Sequence, residues 1–191
     1  MAFLIRRLII AVLILLFAAG IVIPAQASEP LQLHEQEIKA GLLYNFLKYI
    51  EWPPAAMARS PSTITVCIFG DDPFDGYLQP MAGRTVNRHE IALRTIHDIH
   101  EAGACHLVFI NADEKDQWSP LVKFLEGKNI LTVSDFDGFA DSGGMIEFGR
   151  KDQHISVSLN PDAIAAAGLH VEDRLLKLVT VVHPPARGEG R

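Results

Sequence analysis

Apolar and polar positions follow three different patterns along this chain, and each predicts a different element. An unbroken apolar run from Leu8 to Ile23 follows Arg6 and Arg7 and leads through Pro24 into the small-x-small triplet Ala25-Gln26-Ala27. This is the layout of a secretory signal peptide removed before Ser28. The competing reading is an uncleaved anchor, because a tilted apolar run of this length approaches the thickness of a bilayer core. Either way, residues 28–191 face an oxidising space. From Leu33 to Ile50 the period changes: Ile38, Leu42, Phe46 and Ile50 recur every fourth position, with Leu43 and Leu47 beside them and Glu35, Glu37, Lys39 and Lys48 on other faces. That pattern predicts an amphipathic helix. Trp52-Pro53-Pro54 must end it, and residues 55–62 read as a loop.

The middle of the chain alternates short β-rich runs with helical periods. Strands are expected from Ile64 to Phe69, Glu90 to Thr95, Cys105 to Ile110 and Asn129 to Val133. A short helix is expected over residues 74–82, and a longer one from Lys115 to Glu126, with Trp118, Leu121, Val122 and Leu125 on one face and Gly127 ending it. Such alternation predicts an α/β fold with an open, mostly parallel sheet flanked by helices, resembling a doubly wound domain. The C-terminal part differs. Gly144 to Phe148 and His154 to Leu159 read as an antiparallel hairpin, Asn160-Pro161-Asp162 starts a helix, and after a break at Gly168 a terminal helix is expected from Val171 to Val182. The expected organisation is a signal peptide at 1–27, one domain at 28–182 and a disordered tail at 183–191.

Charge and cysteine content narrow the classes. Losing Arg6 and Arg7 with the signal peptide takes the formal charge from −6 to −8, which argues against nucleic acid or anionic lipid as a partner. The only cysteines are Cys67 and Cys105. In an exported protein the pair reads most simply as one disulfide, with two free buried thiols as the alternative. A bond between them would require the first and third strands to be neighbours, since the Cα atoms must approach within about 7 Å. The strand order would then be 2-1-3-4.

No catalytic motif is present: the chain lacks G-x-S-x-G, a P-loop, G-x-G-x-x-G and H-E-x-x-H. The most suggestive cluster is acidic. Asp71 and Asp72 after the first strand, Asn111 and Asp113 after the third, and Asp135 after the fourth would meet at the carboxyl edge of a doubly wound sheet, where such folds bind ligands. The same residues are ordinary turn and cap residues. His97 and His100 are spaced like metal ligands but have no cysteine nearby, and a solvated pair is the simpler reading. His106, inside an apolar strand, reads as a hydrogen-bonded core histidine, and Trp52 and Trp118 as packing anchors. In the glycine- and aspartate-rich stretch Ser134 to Gly144, backbone amides are free to cradle an anion or a partner's carboxylate, unless the stretch is simply a tight crossover. Beside the Gly168 break, Ile164, Leu169 and Val171 are candidates for an apolar patch left open for docking, unless all three pack inward. The reading assigns no catalytic residue, metal or cofactor.

The order of segments resembles a known family. Lys39-Ala40-Gly41-Leu42-Leu43-Tyr44-Asn45-Phe46 with Glu51-Trp52-Pro53, Cys67-Ile68-Phe69-Gly70-Asp71-Asp72-Pro73-Phe74, Cys105-His106-Leu107-Val108-Phe109, Ile130-Leu131-Thr132-Val133-Ser134-Asp135 with Gly138-Phe139-Ala140 and Gly143-Gly144-Met145-Ile146, and Leu159-Asn160, Gly168-Leu169 and Arg174-Leu175-Leu176 together are similar to the YfiR family of periplasmic proteins. The resemblance implies regulation rather than catalysis: binding to the periplasmic domain of an inner-membrane diguanylate cyclase (a GGDEF protein), lowered cyclic-di-GMP output, and effects on biofilm formation. It also implies sequestration by an outer-membrane lipoprotein, allows a homodimer, and supports pairing of Cys67 with Cys105. The second cysteine pair of some relatives is absent. The alternative function is a periplasmic small-molecule sensor or carrier using the pocket near Asp71, Asp72, Asn111 and Asp135, and an enzyme ranks third.

Overall fold

The computed structural model of the protein describes residues 29–183 except Gln153, and a compact unit begins at Leu31. The expected signal peptide and the tail beyond His183 lie outside the described residues. Helix α1 (Glu29–Tyr49) ends where expected and runs straight into a two-residue strand, β1 (Ile50–Glu51). The first turn after Trp52 is not a loop but a short helix, α2 (Pro54–Met57), since a proline is tolerated where the first helical amide has no partner anyway.

The buried face of α1 differs from the one its fourfold repeat predicts. Ile38 is 40% exposed, whereas Lys39 is only 6% exposed and Ala40, Leu43, Phe46, Leu47 and Ile50 are buried. Every fourth residue drifts by about 40° around a helix of 3.6 residues per turn. The row that begins at Ile38 therefore leaves the core side at its upstream end, and Lys39 turns inward.

Among the described residues, ten strands form two sheets. After β1 come β2 (Thr63–Phe69), β3 (Thr85–Val86), β4 (His89–Ile96), β5 (Leu107–Ile110), β6 (Leu131–Ser134), β7 (Ile146–Lys151), β8 (His154–Leu159), β9 (His170–Val171) and β10 (Thr180–Val181). The main sheet has the order β10-β8-β7-β6-β5-β2-β4-β3. Its centre, β4-β2-β5-β6-β7, is parallel throughout, while β3 and the β7–β8 hairpin are antiparallel additions. The four strands expected in the middle section thus stand in the expected order, second-first-third-fourth. Cys67 pairs with Val108 in register, and the disulfide to Cys105 spans a Cα–Cα distance of 6.0 Å.

Alternation along the central strands builds a core on each face. Ile64, Val66 and Ile68 of β2, with Leu107, Phe109, Leu131, Val133 and Ile146, meet Leu43, Phe46 and Leu47 of α1. Cys67 and Phe69, with Val108 and Ile110, meet helix α3 (Trp118–Leu125) through Trp118, Leu121 and Leu125. Strands buried on both faces need apolar residues at nearly every position, and β2 and β5 supply them.

Three expected helices are altered. Residues 74–82 form turns with a 3₁₀ segment only at Gln79–Met81. The helix expected from Lys115 begins as a 3₁₀ turn (Ala112–Gln117) and becomes α-helical at Trp118, because Pro120 has no amide to donate and fits only in a first turn. The terminal helix expected from Val171 to Val182 is mostly absent. Val171 pairs with Ile50 in the small β1–β9 ribbon, α5 (Asp173–Leu176) is a single turn, and Thr180–Val181 joins the main sheet beside β8. Strand pairing to distant partners overrides a helical period only about three turns long. The helix capped by Asn160 is present as α4 (Pro161–Ala166), with the Asn160 side chain accepting from the Ala163 amide.

Candidate functional site

The acidic residues at the carboxyl edge are held by their own surroundings. Asp72 accepts from the Phe74 amide at 2.8 Å. Asn111 donates to the Asp71 carbonyl at 2.7 Å and accepts from the Asp113 amide, tying the end of β2 to that of β5. Asp71 and Asp113 themselves are exposed. Gly70 belongs to this junction: its φ is +89°, and a Cβ there would lie 2.5 Å from Glu114 Cγ, so any other residue would be strained. Asp135 instead accepts from Lys39 at 2.9 Å, and Lys39 also bridges Glu35, which pairs in turn with Arg150. This chain of charges clips α1 to the loop after β6 and to the hairpin. Although burial alone would raise the Glu35 carboxyl, the hydrogen bonds and charges of Lys39 and Arg150 hold it below its ordinary value.

The loop Ser134–Gly144 does cradle a carboxylate, and it is the chain's own. Glu147 of β7 accepts from the Ala140 amide at 2.9 Å through one oxygen and from the Gly138 amide at 3.4 Å through the other. Phe136 and Phe139 pack edge to face, and Phe139 lies 4.5 Å from Trp118 between ring centroids, which fixes the loop on α3. Gly144 has no room for a side chain: a Cβ would fall 2.3 Å from the Phe139 ring. The amide nest was legible in the sequence, but Glu147 reads there only as an exposed strand position.

The histidines take structural roles. His106 is buried, and its Nδ1 accepts from the Thr65 amide at 3.0 Å, so the ring proton sits on Nε2, which has no partner among the described residues. Burial, then the positive charges of Arg59 and His89, lower its pKa to about 4. Trp52 donates to the His106 carbonyl. His100 rests edge-on against Phe124, and among the described residues no group of three or more His, Cys, Asp or Glu gathers as metal ligands.

The expected open apolar patch is closed. Ile164, Leu169 and Val171 are 1%, 5% and 8% exposed and belong to the core on the α1 face. The turn at Gly168 lets Leu169 fold back on Ile164, whose carbonyl receives the Leu169 amide, so the break buries these side chains rather than opening them. The exposed large apolar side chains among the described residues are Ile38, Leu178 at 77% and Val181 at 40%. Leu178 lies just before the edge strand β10 and Val181 within it, a few positions downstream of the predicted patch. A second open feature is an apolar groove of about 440 Å³ between α3 and α4, walled by Trp118, Val122, Leu125, Met145, Ala163 and Ala166. No helix among the described residues is long and apolar enough to cross a membrane.

The described residues form a three-layer α/β domain stapled between the first and third of its central strands. Residues 36–180 match the family model described as YfiR/HmsC-like, and the chain belongs to that family.

Proposed function

We propose that the protein is a periplasmic regulator that binds the periplasmic domain of an inner-membrane diguanylate cyclase and lowers its cyclic-di-GMP output, without catalytic residues of its own. The observation that carries this reading is the family match over residues 36–180. The apolar run of residues 8–23 supports export. A soluble repressor acts only by binding one state of its partner more tightly than the other, so it needs an exposed recognition surface. Leu178 and Val181 at the sheet edge supply apolar area for that surface, and we assign the contact there rather than to the buried trio Ile164, Leu169 and Val171. Sequestration by an outer-membrane lipoprotein and self-association fit the same scheme. The carrier reading draws little support from this edge: Asp72, Asn111 and one oxygen of Asp135 serve neighbouring residues, and the other Asp135 oxygen is buried without a partner among the described residues.

The test pairs surface and core variants. Leu178→Asp and Val181→Asp should raise cellular cyclic-di-GMP while melting temperature and periplasmic abundance stay unchanged. Leu169→Asp should act by unfolding, because it buries an unpaired charge. A membrane pull-down with the wild-type chain should recover a GGDEF protein, and the surface variants should not. If deleting the gene leaves cyclic-di-GMP unaltered, the regulatory assignment is wrong.

A further inference from the structure

The groove between α3 and α4 has a chemistry that the regulatory reading does not use. Trp118, Val122 and Leu125 project from α3, Met145 rises from the entry to β7, and Ala163, Ala166 and Ala167 present the small face of α4. At about 440 Å³ it lies within the range of small-molecule sites. The small residues of α4 create the space: larger side chains at 163 and 166 would fill it. Trp118 is fixed from behind by Phe139, so the aromatic wall is rigid before anything binds.

The rim is acidic. Glu126 and Asp162 line the same groove, and Thr132 is the neutral polar group in its wall. Asp162 accepts from His183 at 2.9 Å, whereas Glu126 is exposed, has no assigned partner among the described residues and also borders an adjoining recess beside Ser119, Lys123 and Ser142. An occupant that buries an apolar body against Trp118 and Met145 therefore meets an unpaired carboxylate at the mouth. A cation completes that arrangement and an anion is repelled by it. We propose that this groove is a binding site for a small molecule with an apolar or aromatic body and a protonated amine, the ring lying on Trp118 and the ammonium facing Glu126.

The probes are 4-phenylbutylamine and its anionic counterpart 4-phenylbutyrate, titrated into the purified protein by calorimetry and by Trp118 indole resonances in NMR. The amine should bind with a dissociation constant below about 1 mM and shift the Trp118 signal while leaving Trp52 unmoved, and the acid should bind at least about fivefold more weakly. Glu126→Gln, a surface change, should weaken the amine about threefold and narrow the gap between the two probes. Ala166→Phe, at an exposed position on the groove wall, should abolish binding of both without lowering the melting temperature. Equal affinity for amine and acid, a Trp52 rather than a Trp118 response, or no saturable binding by about 10 mM would overturn the proposal. Should Ala166→Phe prove unstable, the Glu126→Gln comparison decides alone: unchanged selectivity sinks the assignment.

Discussion

His106 shows how a single side chain sets a pH window. Its folded pKa of about 4 lies below the ordinary value of 6.5, so between those values the unfolded chain binds a proton that the folded chain refuses. Stability is fully present above pH 6.5 and falls as the pH drops toward 4, by roughly 3 kcal/mol in total. Glu35 acts in a lower window, because its carboxyl is held below 4.5: its contribution is present above that value and is lost as the pH falls through the lowered pKa. Urea titrations at pH 7.0 and 5.0 should therefore differ more for wild type than for His106→Asn, whose amide oxygen can still accept from Thr65. If the two proteins lose equal stability over that interval, His106 is not the buried neutral base described. The core histidine was visible in the sequence as a polar residue inside an apolar strand, but its missing Nε2 partner was not, because that depends on what packs against the ring.

At the level of elements, legibility followed the locality of the cause. The strands from Ile64, Glu90 and Cys105, the β7–β8 hairpin and the Asn160 cap are written in neighbouring residues, and they stand where expected. The terminal helix failed because Val171 finds Ile50 and Val181 finds Leu159, partners more than twenty positions away that no local period records. The burial of Lys39 was missed for a related reason: Glu35 one turn away is a local partner, but Asp135, which completes the pairing, lies 96 positions downstream. The candidate site was the least legible part. Its groove exists because α3 and α4 lie side by side, and its residues look ordinary in the sequence. The loop after β6 yields a prediction at this scale. Since Glu147 satisfies two amides of that loop, Glu147→Ala should cost about 1–3 kcal/mol, the usual penalty for orphaning partly buried donors, and hydrogen exchange should accelerate selectively at Gly138 and Ala140. Unchanged exchange at both amides would mean that the loop is held by its phenylalanines alone.

For the molecule as a whole, the disulfide and the proposed recognition surface would be separate devices, and the sheet order says how to tell them apart. Cys67 and Cys105 join β2 to the entry of β5 at the sheet's centre, whereas Leu178 just precedes β10 and Val181 lies in it at the sheet's edge, with β8, β7 and β6 between. The bond restricts the unfolded chain more than it shapes the native surface, so Cys105→Ser should cost about 2–5 kcal/mol in chemical denaturation and lower periplasmic abundance. On the proposed function, the fraction that remains folded should still capture the cyclase and repress it in proportion to its amount. Wild-type protein treated with reductant should match the variant in stability. A variant that keeps its stability and abundance but no longer captures the cyclase would place the bond inside the regulatory mechanism instead, since only a change in the recognition surface could then separate binding from folding.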